Sequence, residues 1–310
     1  MPDAFIDSSV LIGLYFRHAG ERAACEACLP AGGNRVSSQY IIFEIARGFL
    51  RSLLEIHNAS FEYKRFSDFH MAAYSGARRF KPYQMATWLG AMTDFMAALE
   101  QQNVVIAEPQ KLDLFRAMIR KMIQRGWKQL LNGCHLIDNI SCQKNIPDPI
   151  LNPDGRVTQA LPLADCGKPN TCGVQSFIAQ RNPMVQSLIQ HLATLPKKQK
   201  GNDTDTKHIP GLQHLLGVAL GAAFEGKKCH QCGDALICLE APAGSIIATK
   251  NRGDFEPLAG FLSKTLSVAT TATTTVGLST GSTKRVSFPF RLWRSAVNWV
   301  KSRFGDKRVF

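Results

Sequence analysis

Ala4-Phe5-Ile6-Asp7-Ser8-Ser9-Val10-Leu11-Ile12-Gly13-Leu14 begins apolar, breaks on an acid and two serines, and turns apolar again. A short apolar run ending at a polar turn reads as a buried strand followed by a helix. Asp7 then stands at the strand's C-terminal end. Outward from this stretch, Arg35-Val36-Ser37 is a second brief strand. Ser38 is suited to cap a helix over 39–56, whose apolar face carries Ile41, Ile42, Ile45, Phe49, Leu53 and Leu54 and whose early part carries Glu44. Amphipathic helices are expected at 59–75 and 84–101, with a third strand at Asn103-Val104-Val105-Ile106-Ala107. A helix over 111–131 follows. Later, Gly211 to Phe224 is helical in period, Gly233-Asp234-Ala235-Leu236-Ile237 opens a helix, and Ser245-Ile246-Ile247-Ala248-Thr249 is another buried strand, with its exit turn at 251–255. Strands alternating with helices indicate an α/β chain built on a parallel sheet.

The chain has 310 residues, 45% of them hydrophobic, enough for one or two domains with a real core, which excludes disorder throughout. Its longest apolar stretch, Leu215 to Phe224, is far shorter than the roughly 20 residues needed to cross a bilayer. The opening residues lack a basic segment and Asp7 interrupts any apolar one, so no secretory signal is read and a cytoplasmic location is expected. Neither a Walker loop, a GxGxxG run nor an HExxH pair is present, which removes support for nucleotide hydrolysis, dinucleotide chemistry and zinc-protease chemistry. The net charge of +13 directs attention to polyanions such as nucleic acid.

Four carboxylates hold comparable places. Asp7 ends a strand, Glu44 lies in the early turns of a helix, Asp234 opens a helix, and Asp254 follows a strand. In an open parallel sheet, strand C-termini and the helix starts that follow them converge on one edge, where ligands bind. Acids gathered there repel one another and call for a divalent ion, and oxygen ligands favour Mg²⁺ or Mn²⁺. Each of these acids taken singly is equally well a cap, a turn residue or a solvated surface group.

Taken together, Phe-Ile-Asp-Ser-Ser-Val-Leu-Ile (5–12), Val-Ser-Ser-Gln-Tyr-Ile-Ile-Phe-Glu (36–44), Gly-Asp-Ala-Leu-Ile (233–237) and Ile-Ile-Ala-Thr-Lys-Asn-Arg-Gly-Asp-Phe (246–255) resemble, in order and context, the PIN-domain nuclease family and its VapC-like ribonucleases. The resemblance covers about 3–110 and 210–262. It implies a three-layer α/β/α fold with a central parallel sheet and a Mg²⁺- or Mn²⁺-dependent endoribonuclease that leaves 5′-phosphates. It also implies that Asp7, Glu44 and Asp234 are the first three acidic ligands. The fourth position departs from the family: Asn251 stands at its first acidic place, so either Asp254 serves or Asn251 and Thr249 replace it through neutral hydrogen bonds. The interval between Glu44 and Asp234 is also far longer than a compact PIN domain needs. A non-catalytic RNA- or protein-binding module on the same scaffold, and a structure-specific DNA nuclease, are the rival readings.

That interval sets the expected organisation: a first PIN segment at 1–110, an insertion at 111–209, a second PIN segment at 210–262, a Thr/Ser-rich linker at 263–283 and a basic amphipathic tail at 284–310. Cys229-His230-Gln231-Cys232 is a CxxC turn, and Cys166 with Cys172 in the loop-rich insertion is the best second pair for a closed structural Zn²⁺ site. Buried thiols without metal are the alternative of equal weight. The tail carries eight basic residues against one acid, and Leu292, Trp293, Ala296, Val297, Val300 and Phe304 recur at helical spacing. It could follow an RNA backbone or dock on protein, its own domain, a partner or a second copy; a membrane surface is the less favoured target.

Overall fold

The computed structural model describes residues 1–17, 19–75, 82–101, 106–126, 130–141, 147–159, 173–195, 208–219 and 229–270. The first half runs β1 (Ala4–Ile6), α1 (Ser8–Phe16), α2 (Ala19–Ala27), β2 (Arg35–Ser38), α3 (Gln39–Ile45), a π-helical turn (Ala46–Leu50), α4 (Arg51–Ser60), α5 (Phe66–Tyr74), α6 (Pro82–Gln101) and α7 (Glu108–Lys121). The second half runs β3 (Cys134–Ile137), β4 (Ile150–Leu151), β5 (Val157–Thr158), α8 (Gly173–Gln180), α9 (Asn182–Thr194), α10 (Ile209–Ala219), α11 (Gly233–Glu240), β6 (Ile246–Thr249), α12 (Arg252–Phe261) and β7 (Thr265–Val268).

Five parallel strands form the central sheet in the order β3-β2-β1-β6-β7, flanked by helices as expected for a three-layer α/β/α arrangement. All three residues of β1 are buried, so the run Ala4-Phe5-Ile6 can serve only as an interior strand. The chain first builds outward from β1 through β2 to β3, then returns to lay β6 and β7 on the other side of β1. The direction of winding therefore reverses between β1 and β6. A reversal of this kind opens a crevice at the carboxyl ends of the two strands, which is where open α/β sheets bind ligands.

Capping fixes where the helices begin. Asp7 has an extended backbone and its side chain accepts from Ser9 N, satisfying a free amide of α1. Ser38 does the same for α3, accepting from Ile41 N at 3.2 Å. The helix expected at 39–56 is continuous through α3, the π-helical turn and α4. Behind it, Phe66 and Phe69 of α5, Phe95 of α6 and Phe115 of α7 form a buried aromatic cluster with ring centroids 5.2 to 5.8 Å apart.

Two expectations need correction, and a third falls mostly outside the described residues. Of the third strand expected at 103–107, residues 103–105 lie outside the described residues, and Ile106–Ala107 lead into α7. Among the described residues, Cys134–Ile137 pairs with β2 instead, inside the stretch read as an insertion. Thr265–Val268, read as the start of a linker, is an edge strand on β6. The exit turn at 251–255 is the first turn of α12. The rest of the proposed linker from 271 onward and the whole basic tail, with Trp293 and Trp299, lie outside the described residues. Helices α8, α9 and α10 pack on one another, and α9 also packs on α12, where His191 stacks on Phe261 at 5.0 Å. Among the described residues no helix is long and apolar enough to cross a membrane.

Candidate active site at the sheet edge

Asp7 lies in the reversal between β1 and β6. Its backbone N–H donates to Ala248 O at 3.0 Å, which continues the pairing of β1 with β6 one residue past the strand. Its carboxyl is buried and strongly held. Ser9 Oγ donates to Oδ2 at 2.5 Å, Thr249 Oγ1 donates to the same oxygen at 3.0 Å, and Ser8 Oγ donates to Oδ1 at 3.2 Å. Burial pushes the Asp7 pKa up, and the negative charge of Asp234 adds to the rise, while the bonds from Ser9 and Thr249 oppose it.

Glu44 reaches the same place from α3. Its carboxyl is pushed up to about 8 by burial first, then by Asp7 and Asp234, with Ser8 and the Arg47 guanidinium pulling the other way. The Oε2 atom is buried and has no hydrogen-bond partner among the described residues. Asp234, in the first turn of α11, is thus the third member of one electrostatic cluster drawn from three distant parts of the chain. Gly233 lets α11 approach this closely: a Cβ there would lie 3.3 Å from Glu44 Oε1 and 3.4 Å from Tyr40 Oη. The Tyr40 hydroxyl is buried beside Glu44 and also has no hydrogen-bond partner among the described residues.

The fourth acid stands apart. Asn251 Nδ2 donates to Asp254 Oδ2, and the Asn251 backbone N–H donates to Thr249 Oγ1 at 3.0 Å. A relay therefore runs from Asp7 through Thr249 to Asn251 and on to Asp254, but Asp254 is not among the groups that shift Asp7 or Glu44. Thr249 is fully buried, whereas Asn251 is exposed. The Thr249 hydroxyl thus supports Asp7 directly, and Asn251 with Asp254 forms an outer pair.

His208 belongs to no motif in the sequence. It is buried, begins α10, and places Nε2 3.8 Å from Asp234 Oδ2, while Nδ1 lies 3.0 Å from Gln231 O. Its only sequence signal is a position just before a helical run that leads to Asp234; the contact itself is tertiary.

Of the proposed zinc ligands, Cys229 and Cys232 are buried in the turn before α11, and Cys232 Sγ donates to Cys229 O at 3.4 Å. Burial and the neighbouring Cys229 push the Cys232 thiol well up, so it is protonated at neutral pH. Cys166 and Cys172 lie outside the described residues. Cys25, Cys28 and Cys238 are core thiols. Among the described residues no group of three or more His, Cys, Asp or Glu side chains is arranged to hold a metal ion. Comparison with protein-family models, curated proteins and solved structures finds no match.

Proposed function

We propose that the chain is a Mg²⁺- or Mn²⁺-dependent endoribonuclease of the PIN type, hydrolysing phosphodiester bonds at the edge between β1 and β6. One observation carries this reading: Asp7, Glu44 and Asp234 come from three separate segments to the reversal point, where the charge of Asp234 raises the proton affinity of Asp7 and the charges of both aspartates raise that of Glu44. Nature rarely keeps buried like charges together without a cation, and perturbed acids in a crevice mark functional sites. The donor set fits a hard divalent ion, since Asp7, Glu44 and Asp234 offer carboxylate oxygens and the buried Glu44 Oε2 has no hydrogen-bond partner among the described residues.

When bound, such an ion would acidify water and offset charge on the phosphoryl group. The protein's own contribution is positioning. Ser8, Ser9 and Thr249 hold the Asp7 carboxyl in one orientation, so little reorganisation is needed when substrate arrives. Glu44, with its pKa pushed up to about 8, favours the protonated form near neutral pH, so it would have to give up that proton to hold a cation, which would tie occupancy of the site to pH. Arg47, whose charge already acts on Glu44 and which lies over the Phe43 ring at 5.4 Å, supplies positive charge beside the acids. The net charge of +13 favours a nucleic-acid substrate.

The test is incubation of purified full-length protein with labelled single-stranded RNA, structured RNA and DNA, in Mn²⁺, in Mg²⁺ and in EDTA. The reading expects RNA fragments with 5′-phosphates that vanish with EDTA. Cleavage of DNA alone would make it a DNA nuclease. RNA retention without cleavage in either ion would make it a binding module.

A further inference from the structure

We propose that Tyr40 is a positioning residue for the acidic edge: its buried hydroxyl is the donor that fixes Glu44 Oε1 when the Glu44 carboxylate holds a cation. The inference rests on the metal-dependent reading above and deepens it by naming a residue outside the acidic set.

The hydroxyl is the anomaly that needs a reason. Tyr40 is 1% exposed, and its Oη has no hydrogen-bond partner among the described residues. A buried hydroxyl in that condition costs stability, and phenylalanine would fill the same core space without the cost. A buried polar atom left bare in one state calls for another state in which it is bonded. Burial, then the neighbouring Cys229, Glu44 and Cys232, push the phenol's pKa well up, so at neutral pH Oη keeps its proton and can donate.

Glu44 is the acceptor within reach. It follows Tyr40 by four residues on α3, so the two side chains share one face of the helix. Both turn toward the start of α11: the point where a Cβ on Gly233 would stand is 3.4 Å from Tyr40 Oη and 3.3 Å from Glu44 Oε1. Two oxygens that border one point can be joined by a small side-chain rotation or through one water.

Glu44 also needs a donor of its own. Its buried Oε2 has no hydrogen-bond partner among the described residues, and the Ser8 hydroxyl that bears on Glu44 also donates to Asp7 Oδ1 at 3.2 Å. A hydroxyl has one proton, so Ser8 cannot serve both carboxylates at once. Ser9 and Thr249 are committed, since both donate to Asp7 Oδ2 while their oxygens accept from the backbone N–H groups of Lys250 and Asn251. Of these hydroxyls, that of Tyr40 is the one left for Glu44. Its bond to Oε1 would leave Oε2 to the cation and hold the carboxylate in one rotamer, which is how a supporting group raises the affinity of a metal ligand.

The test compares Tyr40→Phe with the wild-type full chain by scanning and titration calorimetry. In EDTA the variant should melt about 2 °C or more above the wild type, because it loses a bare hydroxyl and keeps the packing. In Mn²⁺ titrations it should bind about 10- to 100-fold more weakly, the loss usual for a group that orients a ligand. A tyrosine that only fills the core would not move the two quantities in opposite directions. Mn²⁺ binding within about 3-fold of the wild type overturns the proposal and leaves the carboxylate site standing. A melting temperature in EDTA that stays level or falls, or a variant that does not fold, also overturns it, since the hydroxyl is then not the unpaired group described. Failure of the wild-type chain to bind Mn²⁺ at all overturns both readings.

Discussion

Two glutamates, Glu44 half-buried and Glu240 buried, sit near the same end of the sheet and teach different things. Glu44 lies among Asp7 and Asp234, and its pKa is pushed up to about 8 by burial and by both neighbours. Glu240, at the end of α11, is pushed up to about 7 by burial, with hydrogen bonds from Ser38 and from the backbone N–H groups of Ile140 and Asn139 opposing the rise. Its Oε1 accepts from Asn139 N at 3.2 Å and Ile140 N at 3.3 Å, tying α11 to the turn after β3. Each keeps one buried oxygen with no hydrogen-bond partner among the described residues. Burial, a raised pKa and a bare oxygen are therefore common to both. What sets Glu44 apart is the company of other acids; Glu240 is surrounded chiefly by donors and behaves as a clamp.

The largest effect should come from Asp7→Asn. It keeps the volume and the acceptor oxygen but removes a charge, and cleavage of RNA in Mn²⁺ should fall more than about 100-fold, beyond the loss typical of groups that only support a ligand. Circular dichroism should show the fold retained. Full activity in a folded Asp7→Asn protein would end the distinction between cluster and clamp.

Gly233→Ala comes next. The new methyl would crowd Glu44 Oε1 and Tyr40 Oη, so Mn²⁺ affinity measured by calorimetry should drop about 10-fold. Stability should move by no more than about 1 kcal/mol, since alanine also reduces the freedom of the unfolded chain.

Glu240→Gln should leave catalysis unchanged and alter stability with pH. A carboxyl whose folded pKa is raised contributes most below its unfolded value, and that contribution is lost as pH rises through about 7. Glutamine does not titrate. From pH 5 to pH 8 the wild-type chain should therefore lose on the order of 2 kcal/mol relative to the variant, a few degrees in Tm by calorimetry. A pH-independent difference would show that Glu240 is not the clamp described. The smallest effect is expected of Asp254→Asn, whose neighbour Asn251 is exposed and whose charge is not among the main ones acting on Glu44. Cleavage should stay within a factor of roughly two, the scale of an ordinary surface change. A large loss would place Asp254 in the cluster after all.

The parts legible in the sequence were those governed by local rules. Asp7, Ser38 and Asp234 announce strand ends and helix starts through residue type and adjacent apolar runs, so β1, β2, β6, the cap of α3 and the start of α11 fell where expected. The edge strands were harder. Cys134–Ile137 and Thr265–Val268 are only partly buried, and a strand half open to solvent lacks the continuous apolar run that marks β1. The convergence of three acids could be expected from topology, but the relay from Asp7 through Thr249 to Asn251 and the approach of His208 to Asp234 depend on contacts between segments with no shared pattern.

The bond from Thr249 to Asp7 joins residues separated by 242 positions. While the chain is being made, Asp7 and Glu44 emerge long before Asp234 and β6, so the cluster stays incomplete through most of synthesis. At about 5–20 residues per second, roughly 12 to 48 s separate the making of Asp7 from that of Thr249. Under the proposed ribonuclease reading, the enzyme is made beside a possible substrate, the message that encodes it. Closing the middle of the sheet last means that through most of synthesis the nascent chain carries Asp7 and Glu44 without the arrangement proposed to cleave RNA.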